Sequence, residues 1–374
     1  MKTIVIIASF PDSIVSFRGA LISALQDQQL SVHVIAPQMS DEILLELESR
    51  NITVHQIELE RTGLNPISDI KSLFQMYKVI KKIKPNYSLA YTIKPVIYGS
   101  IAAKLAGVPS IFSLITGLGY AFTGEVSGKR KILQKFLHTL YRLALMANQT
   151  VFFQNNDDKN LFQQIKLVPE KINPVVVNGS GIDINAFKTT DLPVNKFNFL
   201  LIARLLGDKG VREYAKAAEM LKASHPHCSC KLVGWIDNNP DAILQRELDE
   251  WSQSGYIEYL GRFSDVQPVI AQSSVYVLPS YREGTPRTVL EAMAMGRPII
   301  TTDAPGCRET VIDNENGFLI PVQNVQALYE SMVKFVESPE LIEQMGKASR
   351  KIAEDKYDVN KVNYSMLSAM GLVN

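Results

Sequence analysis

Short runs of Val, Ile and Leu alternate with amphipathic stretches throughout the first half of the chain. Continuous apolar runs between helical stretches indicate parallel strands that are covered on both faces of a sheet. The pattern predicts strands at 3–8, 31–36, 52–58, 88–92, 109–115 and 149–153, and helices at 15–28, 40–50, 68–83, 95–106 and 128–147. Right-handed crossovers between such strands give a doubly wound α/β fold.

The pattern pauses at 182–195, which is polar and rich in turn residues, and we interpret this segment as a linker. It then resumes with strands at 197–203, 230–233, 257–260, 274–278 and 298–301, and helices at 210–224, 240–254, 324–337 and 339–355. We therefore expect two Rossmann-like domains, 1–185 and 186–355, that face a cleft, with 356–374 packing back on the first domain. Ligands of such sheets bind outside the carboxyl ends of the strands.

The composition fits a globular protein, because 46% of the 374 residues are hydrophobic and 21% are charged. Only three cysteines are present, which excludes a disulfide scaffold and favours a reducing compartment. A net charge of +1 argues against nucleic-acid binding through bulk positive charge. No apolar run approaches the roughly 20 residues that a membrane-spanning helix needs.

The charge is unevenly distributed, since residues 1–190 carry 20 Lys and Arg against 14 Asp and Glu. Two basic amphipathic helices, 128–148 and 71–84, contribute to this excess. Their apolar residues at helical spacing are Ile132, Leu133, Phe136, Leu137 and Leu140 in the first, and Leu73, Phe74, Tyr77 and Ile80 in the second. Such helices can lie on an anionic membrane surface. The alternative is a pair of crossover helices that bury these faces on the sheet and expose ordinary solvated lysines.

The segment 281–309 contains the most informative motif. It follows a predicted strand at 275–279 and opens a helix near Arg287, with Glu283 in the loop and Glu291 inside the helix. A helix N-terminus offers unpaired N–H groups to an anion. A carboxylate beside such an anion suits sugar or ribose hydroxyls. The alternative is a helix start with an exposed glutamate pair.

Two cations, Arg204 and Lys209, bracket a turn after the strand at 197–203 and just before Gly210. Cations beside a helix N-terminus at the end of a strand suit a diphosphate, although each alone could be a solvated surface residue. Because both pairs follow strands of one predicted sheet, together they favour a nucleotide-diphosphate site.

The C-terminal half resembles the retaining glycosyltransferase family 4, whose members have the GT-B fold of two Rossmann-like domains. The residues that carry the resemblance are Arg204, Lys209, the Glu283–Glu291 pair, the run at 283–286, the run at 290–294, Gly296, Pro298 and the pre-linker run at 178–183. In the N-terminal half, S-F-P-D-S-I-V-S-F-R-G (9–19) and T-G-L-G-Y (116–120) are similar to enzymes that build bacterial surface glycans on a polyprenyl-diphosphate carrier. Those that add N-acetylgalactosamine are especially similar.

The resemblance implies a role for each matching residue. Arg204 and Lys209 would hold the donor diphosphate, Glu291 the ribose hydroxyls and Glu283 the transferred sugar, so Glu283, Arg204 and Lys209 form the catalytic set. The remaining donor-binding residues would be Gly261, Arg262, Gly284, Thr285, Thr288, Val289 and Leu290. On the acceptor side the glycine-rich loop of many members is missing after the first strand, and Ser16, Arg18, Lys94, Thr116 and Gly117 are the candidates.

The function implied is a retaining transfer of an N-acetylhexosamine or hexose from a UDP-sugar to a polyprenyl-diphosphate-linked saccharide. No metal or other cofactor is expected, since cations and the helix dipole can neutralise the leaving diphosphate, and the sequence has no D-x-D motif. We expect a cytoplasmic enzyme attached peripherally to the inner face of the membrane. The alternatives are a GT-B sugar-nucleotide epimerase, a glycosyltransferase with a soluble acceptor, and a non-catalytic nucleotide-binding protein. A dinucleotide oxidoreductase is disfavoured, since no G-x-G-x-x-G loop follows the first strand.

Overall fold

The computed structural model describes residues 1–60, 65–118, 129–193, 197–237 and 239–373. The chain forms two compact units. Unit 1 comprises Met1–Ser180 together with Val362–Asn374, and unit 2 comprises Gly181–Lys361. Both are built on all-parallel sheets with helices between successive strands, which confirms the predicted α/β class.

Unit 1 contains a seven-stranded parallel sheet in the order β3-β2-β1-β4-β5-β6-β7. Its strands are β1 (Thr3–Ile7), β2 (Ser31–Ala36), β3 (Thr53–Gln56), β4 (Tyr87–Tyr91), β5 (Ser110–Ile115), β6 (Thr150–Phe153) and β7 (Asn173–Val176). Its helices before the crossing into unit 2 are α1 (Asp12–Asp27), α2 (Asp41–Ser49), α3 (Pro66–Ile83), α4 (Ser100–Ala106), α5 (Lys129–Leu145) and α6 (Asn156–Gln164). A π-helical turn, Pro95–Gly99, precedes α4.

Unit 2 contains a six-stranded parallel sheet in the order β10-β9-β8-β11-β12-β13. Its strands are β8 (Asn198–Ile202), β9 (Ser229–Val233), β10 (Glu258–Tyr259), β11 (Val275–Leu278), β12 (Ile299–Thr302) and β13 (Gly317–Ile320). Its helices are α7 (Val211–Ser224), α8 (Gln245–Gln253), α9 (Gln267–Ala271), α10 (Arg287–Ala294), α11 (Val325–Glu337) and α12 (Glu340–Ile352), and α13 (Val359–Ala369) leads back to unit 1.

Strand order reverses once in each sheet, between β1 and β4 in unit 1 and between β8 and β11 in unit 2. At such a switch point the crossovers leave on opposite faces of the sheet. A crevice therefore opens at the carboxyl ends of the two strands, and ligands of open α/β sheets bind there. The two switch points are thus the expected ligand-binding sites of the two sheets.

The polar segment that we interpreted as a linker belongs to unit 2 wherever it is described. The guanidinium of Arg297 is fully buried and donates to the carbonyl oxygens of Thr190 and Asp191 at 2.9 and 3.1 Å. Arg350 donates in the same way to the carbonyl oxygens of Ile184 and Phe187. These contacts fix the segment to the body of unit 2, and the chain crosses between units at Ser180–Gly181 and Lys361–Val362.

The chain returns to unit 1 through α13. Met366, Leu367 and Met370 are buried in the same apolar cluster as Ile4 and Val32 of the central strands. The return therefore completes the core on one face of the first sheet, and unit 1 is discontinuous along the chain.

Candidate functional site

The loops after β8 and β11 contact each other at the switch point of unit 2. The backbone N–H of Tyr281 donates to the carbonyl of Asp208 at 2.8 Å, and the Ser280 hydroxyl donates to the same oxygen at 3.2 Å. Gly210 has φ +70, and a Cβ there would lie 2.1 Å from the carbonyl oxygen of Pro279. Only glycine permits this approach, which fixes Lys209 against the segment that carries Glu283.

The structure brings Lys209 and Glu283 together, as neighbours in one site. The Lys209 Nζ lies 2.6 Å from Glu283 Oε1, and the two side chains are only 14% and 18% exposed. A charge-assisted bond at this distance holds both groups in place. The ammonium is therefore already paired with a carboxylate. A diphosphate that binds Lys209 must share the ammonium with Glu283 or displace the carboxylate from it.

The second predicted cation is also paired with an acid. Arg204 Nη1 donates to Asp237 Oδ2 at 2.9 Å, and both side chains are partly exposed. Asp237 was not among the predicted site residues. Because it lies 33 positions further along the chain, in the loop after β9, no sequence spacing links it to Arg204.

The loop that carries Glu283 is supported from the segment after β12. The backbone N–H of Glu283 donates to the carbonyl of Pro305 at 2.9 Å. Gly306 has φ +82, and a Cβ there would lie 2.1 Å from the carbonyl oxygen of Glu283 and 2.7 Å from that of Gly284. Gly306 therefore lets the two backbones meet, and sequence inspection did not single it out.

Glu291 lies inside α10, eight positions after Glu283, as predicted. Its Oε1 accepts from Arg287 Nε at 2.9 Å, and the residue is 7% exposed. Burial raises the pKa of the Glu291 carboxyl, and the neighbouring Arg287 partly opposes that rise. A buried carboxylate with one charged partner suits binding of uncharged hydroxyl groups.

The start of α10 is held by main-chain and side-chain hydrogen bonds. Thr285 precedes the N-cap Pro286, and the side chains of Val289 and Leu290 are buried in the core. The backbone N–H groups of Val289 and Leu290, two of the donor-binding candidates, donate to the carbonyl of Pro286 at 3.1 and 3.3 Å, within the first turn of the helix. The Thr288 hydroxyl donates to the carbonyl of Ile202 at 3.3 Å, which ties the helix to the end of β8.

Gly261 and Arg262 lie after β10, beside the loop that follows β9. The backbone N–H of Gly234 donates to the carbonyl of Gly261 at 2.9 Å. The Arg262 guanidinium lies over the ring of Trp235, 4.7 Å from its centroid. Trp235 was not predicted, and its half-exposed ring with the cation above it gives this side of the site a flat surface.

The acceptor-side candidates lie in unit 1, where β1, β4 and β5 are adjacent strands. Ser16 lies on α1 and its hydroxyl donates to the carbonyl of Asp12 at 2.7 Å. The buried guanidinium of Arg18 lies over the ring of Tyr91, the last residue of β4. Lys94 follows β4 and is buried against an acidic residue of α3. Thr116 and Gly117 follow β5 and are half-buried, and Gly117 has φ +120.

The two basic helices serve the core and also expose apolar side chains. On α5, Leu137 and Tyr141 are buried, whereas Phe136 is exposed. On α3, Ile80 is buried, whereas Phe74 is exposed with the ammonium of Lys78 4.5 Å from its ring centroid. The apolar faces predicted from spacing are therefore divided between sheet and solvent. The side chains of Ile132 and Leu133 lie outside the described part of the structure.

In the described part of the chain, no group of three or more His, Cys, Asp or Glu side chains is placed to hold a metal ion. Within the same residues, no helix is both long and apolar enough to span a membrane.

Known proteins share both the sequence pattern and the fold of this chain. The family model "Glycosyl transferases group 1" matches residues 183–352, and "Glycosyl transferase 4-like" matches residues 6–155. The chain is 31% identical over 361 residues to the N,N'-diacetylbacillosaminyl-diphospho-undecaprenol alpha-1,3-N-acetylgalactosaminyltransferase of Campylobacter jejuni, covering 93% of each protein. It is 28% identical to the UDP-Gal:alpha-D-GlcNAc-diphosphoundecaprenol alpha-1,3-galactosyltransferase of Escherichia coli, over 74% of this chain and 72% of that relative.

Solved structures match over the whole chain. HepE from Anabaena, solved in complex with UDP, aligns with a TM-score of 0.78 and 18% identity, covering 100% of each chain. Sucrose-phosphate synthase from Thermosynechococcus elongatus aligns with a TM-score of 0.80 and 17% identity, covering 98% of each. The predicted GT-B fold is thereby confirmed.

Proposed function

This chain belongs to the glycosyltransferases of the family 4 type, and we propose that it transfers a sugar from a UDP-sugar to a polyprenyl-diphosphate-linked saccharide. The observation that carries the proposal is the similarity to the Campylobacter transferase over 93% of both chains, since that relative's name specifies an undecaprenyl-diphosphate acceptor. The Escherichia relative, whose name specifies UDP-galactose and a diphosphoundecaprenol acceptor, supports it further. The sugar is an N-acetylhexosamine or a hexose.

The donor binds at the switch point of unit 2. Lys209 and Arg204 contact the diphosphate, whose charge competes with Glu283 and Asp237 for them. Glu283, released from Lys209, accepts hydrogen bonds from hydroxyl groups of the sugar. Glu291 accepts hydrogen bonds from the ribose hydroxyls. Burial raises the pKa of this carboxyl, which disfavours a second negative charge beside it, and neutral hydroxyl groups bring none. Trp235 and Arg262 flank the region that receives the base.

The transfer proceeds with retention and without a metal. The bond between the anomeric carbon and the diphosphate oxygen breaks, and the acceptor hydroxyl oxygen attacks the same face of the sugar. The departing phosphate oxygen takes the acceptor's proton. Lys209, Arg204 and the N-terminus of α10 stabilise the negative charge that develops on the diphosphate.

The enzyme acts in the cytoplasm while bound peripherally to the inner face of the membrane. Phe74 and Phe136 are exposed on helices that carry several lysines each, so both can insert shallowly while the ammonium groups reach anionic headgroups. We expect flotation with anionic vesicles at low salt and release as salt screens the charges. Phe74→Glu and Phe136→Glu should each reduce flotation, whereas Leu244→Glu, at an exposed apolar position of unit 2, should not. Flotation that is equal in all three variants contradicts the membrane assignment.

The activity is tested by a donor and acceptor screen. Purified protein is incubated with UDP- and GDP-sugars and an undecaprenyl-diphosphate-linked N-acetylhexosamine, with and without EDTA, and products are identified by mass and anomeric configuration. We expect a product one sugar heavier, formed equally well in EDTA, with the donor's configuration. Lys209→Met serves as the inactive control. A UDP-sugar epimer as the product, or transfer only to lipid-free saccharides, would refute the proposal.

A further inference from the structure

A buried ion pair lies at the carboxyl end of β4, at the switch point of unit 1. The Nζ of Lys94 is 2.7 Å from Oδ1 of Asp69, and both side chains are 8% exposed. The hydroxyl of Tyr98 donates to the other oxygen, Oδ2, at 3.0 Å. Replacing a buried ion pair by apolar residues of similar volume is often neutral or stabilising. A contribution to the stability of the fold therefore does not by itself explain why this ion pair is present.

The backbone that carries the pair is unusual. Thr92 has φ +68, a conformation that is costly for a β-branched residue, and its hydroxyl is 2.7 Å from that of Ser9 after β1. Pro95–Gly99 forms a π-helical turn, a feature that is frequent at functional sites. Gly99 permits that turn to approach the sheet, because a Cβ there would lie 2.9 Å from Ile7 Cδ1. Strain, π-turn and ion pair thus meet at one crevice.

The donors and acceptors of this cluster suit a hydroxyl group. Lys94 has three N–H donors, and one of them is directed at Asp69 among the described residues. Each carboxylate oxygen of Asp69 has a second lone pair. A hydroxyl can accept from Lys94 and donate to Asp69 at the same time. A phosphate cannot donate when ionised, and the adjacent carboxylate repels it.

We propose that Lys94 and Asp69 bind a hydroxyl group of the acceptor saccharide, and that Tyr98 positions Asp69 for this contact. The inference rests on the proposed transfer to a lipid-linked saccharide and specifies which part of that acceptor unit 1 recognises. The diphosphate of the acceptor is bound elsewhere. Burial and the Asp69 carboxylate raise the pKa of Tyr98, so its hydroxyl stays protonated and continues to donate to Asp69.

Two measurements separate sugar recognition from phosphate recognition. The first is the KM for undecaprenyl-diphosphate-linked N-acetylhexosamine. The second is the inhibition constant of undecaprenyl diphosphate, which lacks the sugar and competes through the rest of the acceptor. Asp69→Asn should raise the KM about tenfold or more, the usual weight of a hydrogen bond to a charged group, and Tyr98→Phe by a smaller factor. Neither should change the inhibition constant.

Controls keep the two proposals distinguishable. Glu46→Gln breaks an ion pair of 3.1 Å between α2 and Arg50, the residue that follows this helix, and should leave both constants unchanged. UDP affinity should be equal in all variants, because UDP binds unit 2. If Asp69→Asn does not fold, Tyr98→Phe retains the ion pair and carries the test.

Equal shifts of KM and inhibition constant, or no shift in either, would overturn the saccharide assignment. Absence of transfer by the wild-type enzyme overturns the proposed function instead.

Discussion

Replacing Glu283 by glutamine should change UDP binding and turnover in opposite directions. In the structure the Glu283 carboxylate pairs with Lys209 at 2.6 Å, so it occupies the cation that the diphosphate needs. Glutamine keeps the shape and can still accept a hydrogen bond from Lys209, but it carries no charge. UDP lacks the transferred sugar, so sugar contacts of Glu283 do not enter its affinity. We expect Glu283→Gln to bind UDP more tightly than the wild type.

The size of the effect follows from the burial of the pair. Exposed ion pairs are worth about 0.2–1 kcal/mol, whereas breaking a fully buried pair costs about 3–5 kcal/mol. With side chains 14% and 18% exposed, this pair falls between the two, at about 1–2 kcal/mol. UDP should therefore bind roughly 5- to 30-fold more tightly. Turnover should fall roughly 10- to 150-fold, since a charged hydrogen bond to the sugar is worth about 1.5–3 kcal/mol.

Calorimetric titration with UDP measures the first effect, and kcat at saturating donor and acceptor measures the second. Glu343→Gln is the matched control, because Glu343 also pairs with a lysine at 2.6 Å in unit 2 but on the exposed face of α12. It should leave UDP affinity and kcat unchanged. Unchanged or weaker UDP binding by Glu283→Gln would show that the carboxylate does not compete with the diphosphate, and the site description would be wrong.

Three further variants test the supports of the site. Gly210→Ala should lower the free energy of unfolding by more than about 1–2 kcal/mol and weaken UDP binding, because its Cβ would meet Pro279. Gly255→Ala is the control, since Gly255 has a similar φ but open space around it. It should cost only the αL strain and leave UDP binding intact. Burial raises the pKa of Glu291 above 4.5, so the folded chain binds this proton more readily than the unfolded chain does. The free energy of unfolding therefore falls as pH rises from 4.5 through the pKa of the folded state. Glu291→Gln should therefore melt higher than the wild type at pH 8, by a margin that shrinks towards pH 4.5, while binding UDP more weakly. Arg297→Met should lower the free energy of unfolding in urea by about 3–5 kcal/mol, because the buried carbonyl oxygens of Ile270 and Met295 lose their donor.

The strong part of the sequence prediction was the buried sheet. Strands such as β1 and β11 are continuous apolar runs, because helices cover both of their faces. Two of the missed elements, β7 and α6, have weak patterns, whereas β13 is a short apolar run after Gly317 that was not predicted. The strand β7 contains Asn173 and Pro174, and α6 has two apolar residues among nine, of which only Phe162 is fully buried. A single buried apolar position gives no helical period to detect.

The candidate site was predictable where a local motif determines it. The loop position of Glu283 and the helical position of Glu291 follow from a strand, a glycine and a helix start within one segment. Their partners come from distant segments: Asp237 reaches Arg204 from the loop after β9, and Asp69 reaches Lys94 from α3. A lone acid in the first turn of a helix is also what the helix dipole favours, so nothing in the sequence marked Asp69 as functional.

The late return of the chain to unit 1 affects how the protein is made. A ribosome adds about 5–20 residues per second, so roughly 10–35 s separate the synthesis of Ser180 from that of Val362. During this interval unit 2 is being synthesised, while the β1–β2 face of unit 1 still lacks Met366 and Met370. The nascent chain thus exposes an apolar sheet surface after most of its strands exist, a state prone to aggregation. Unit 1 therefore matures no earlier than unit 2, although domains usually fold in order of their emergence.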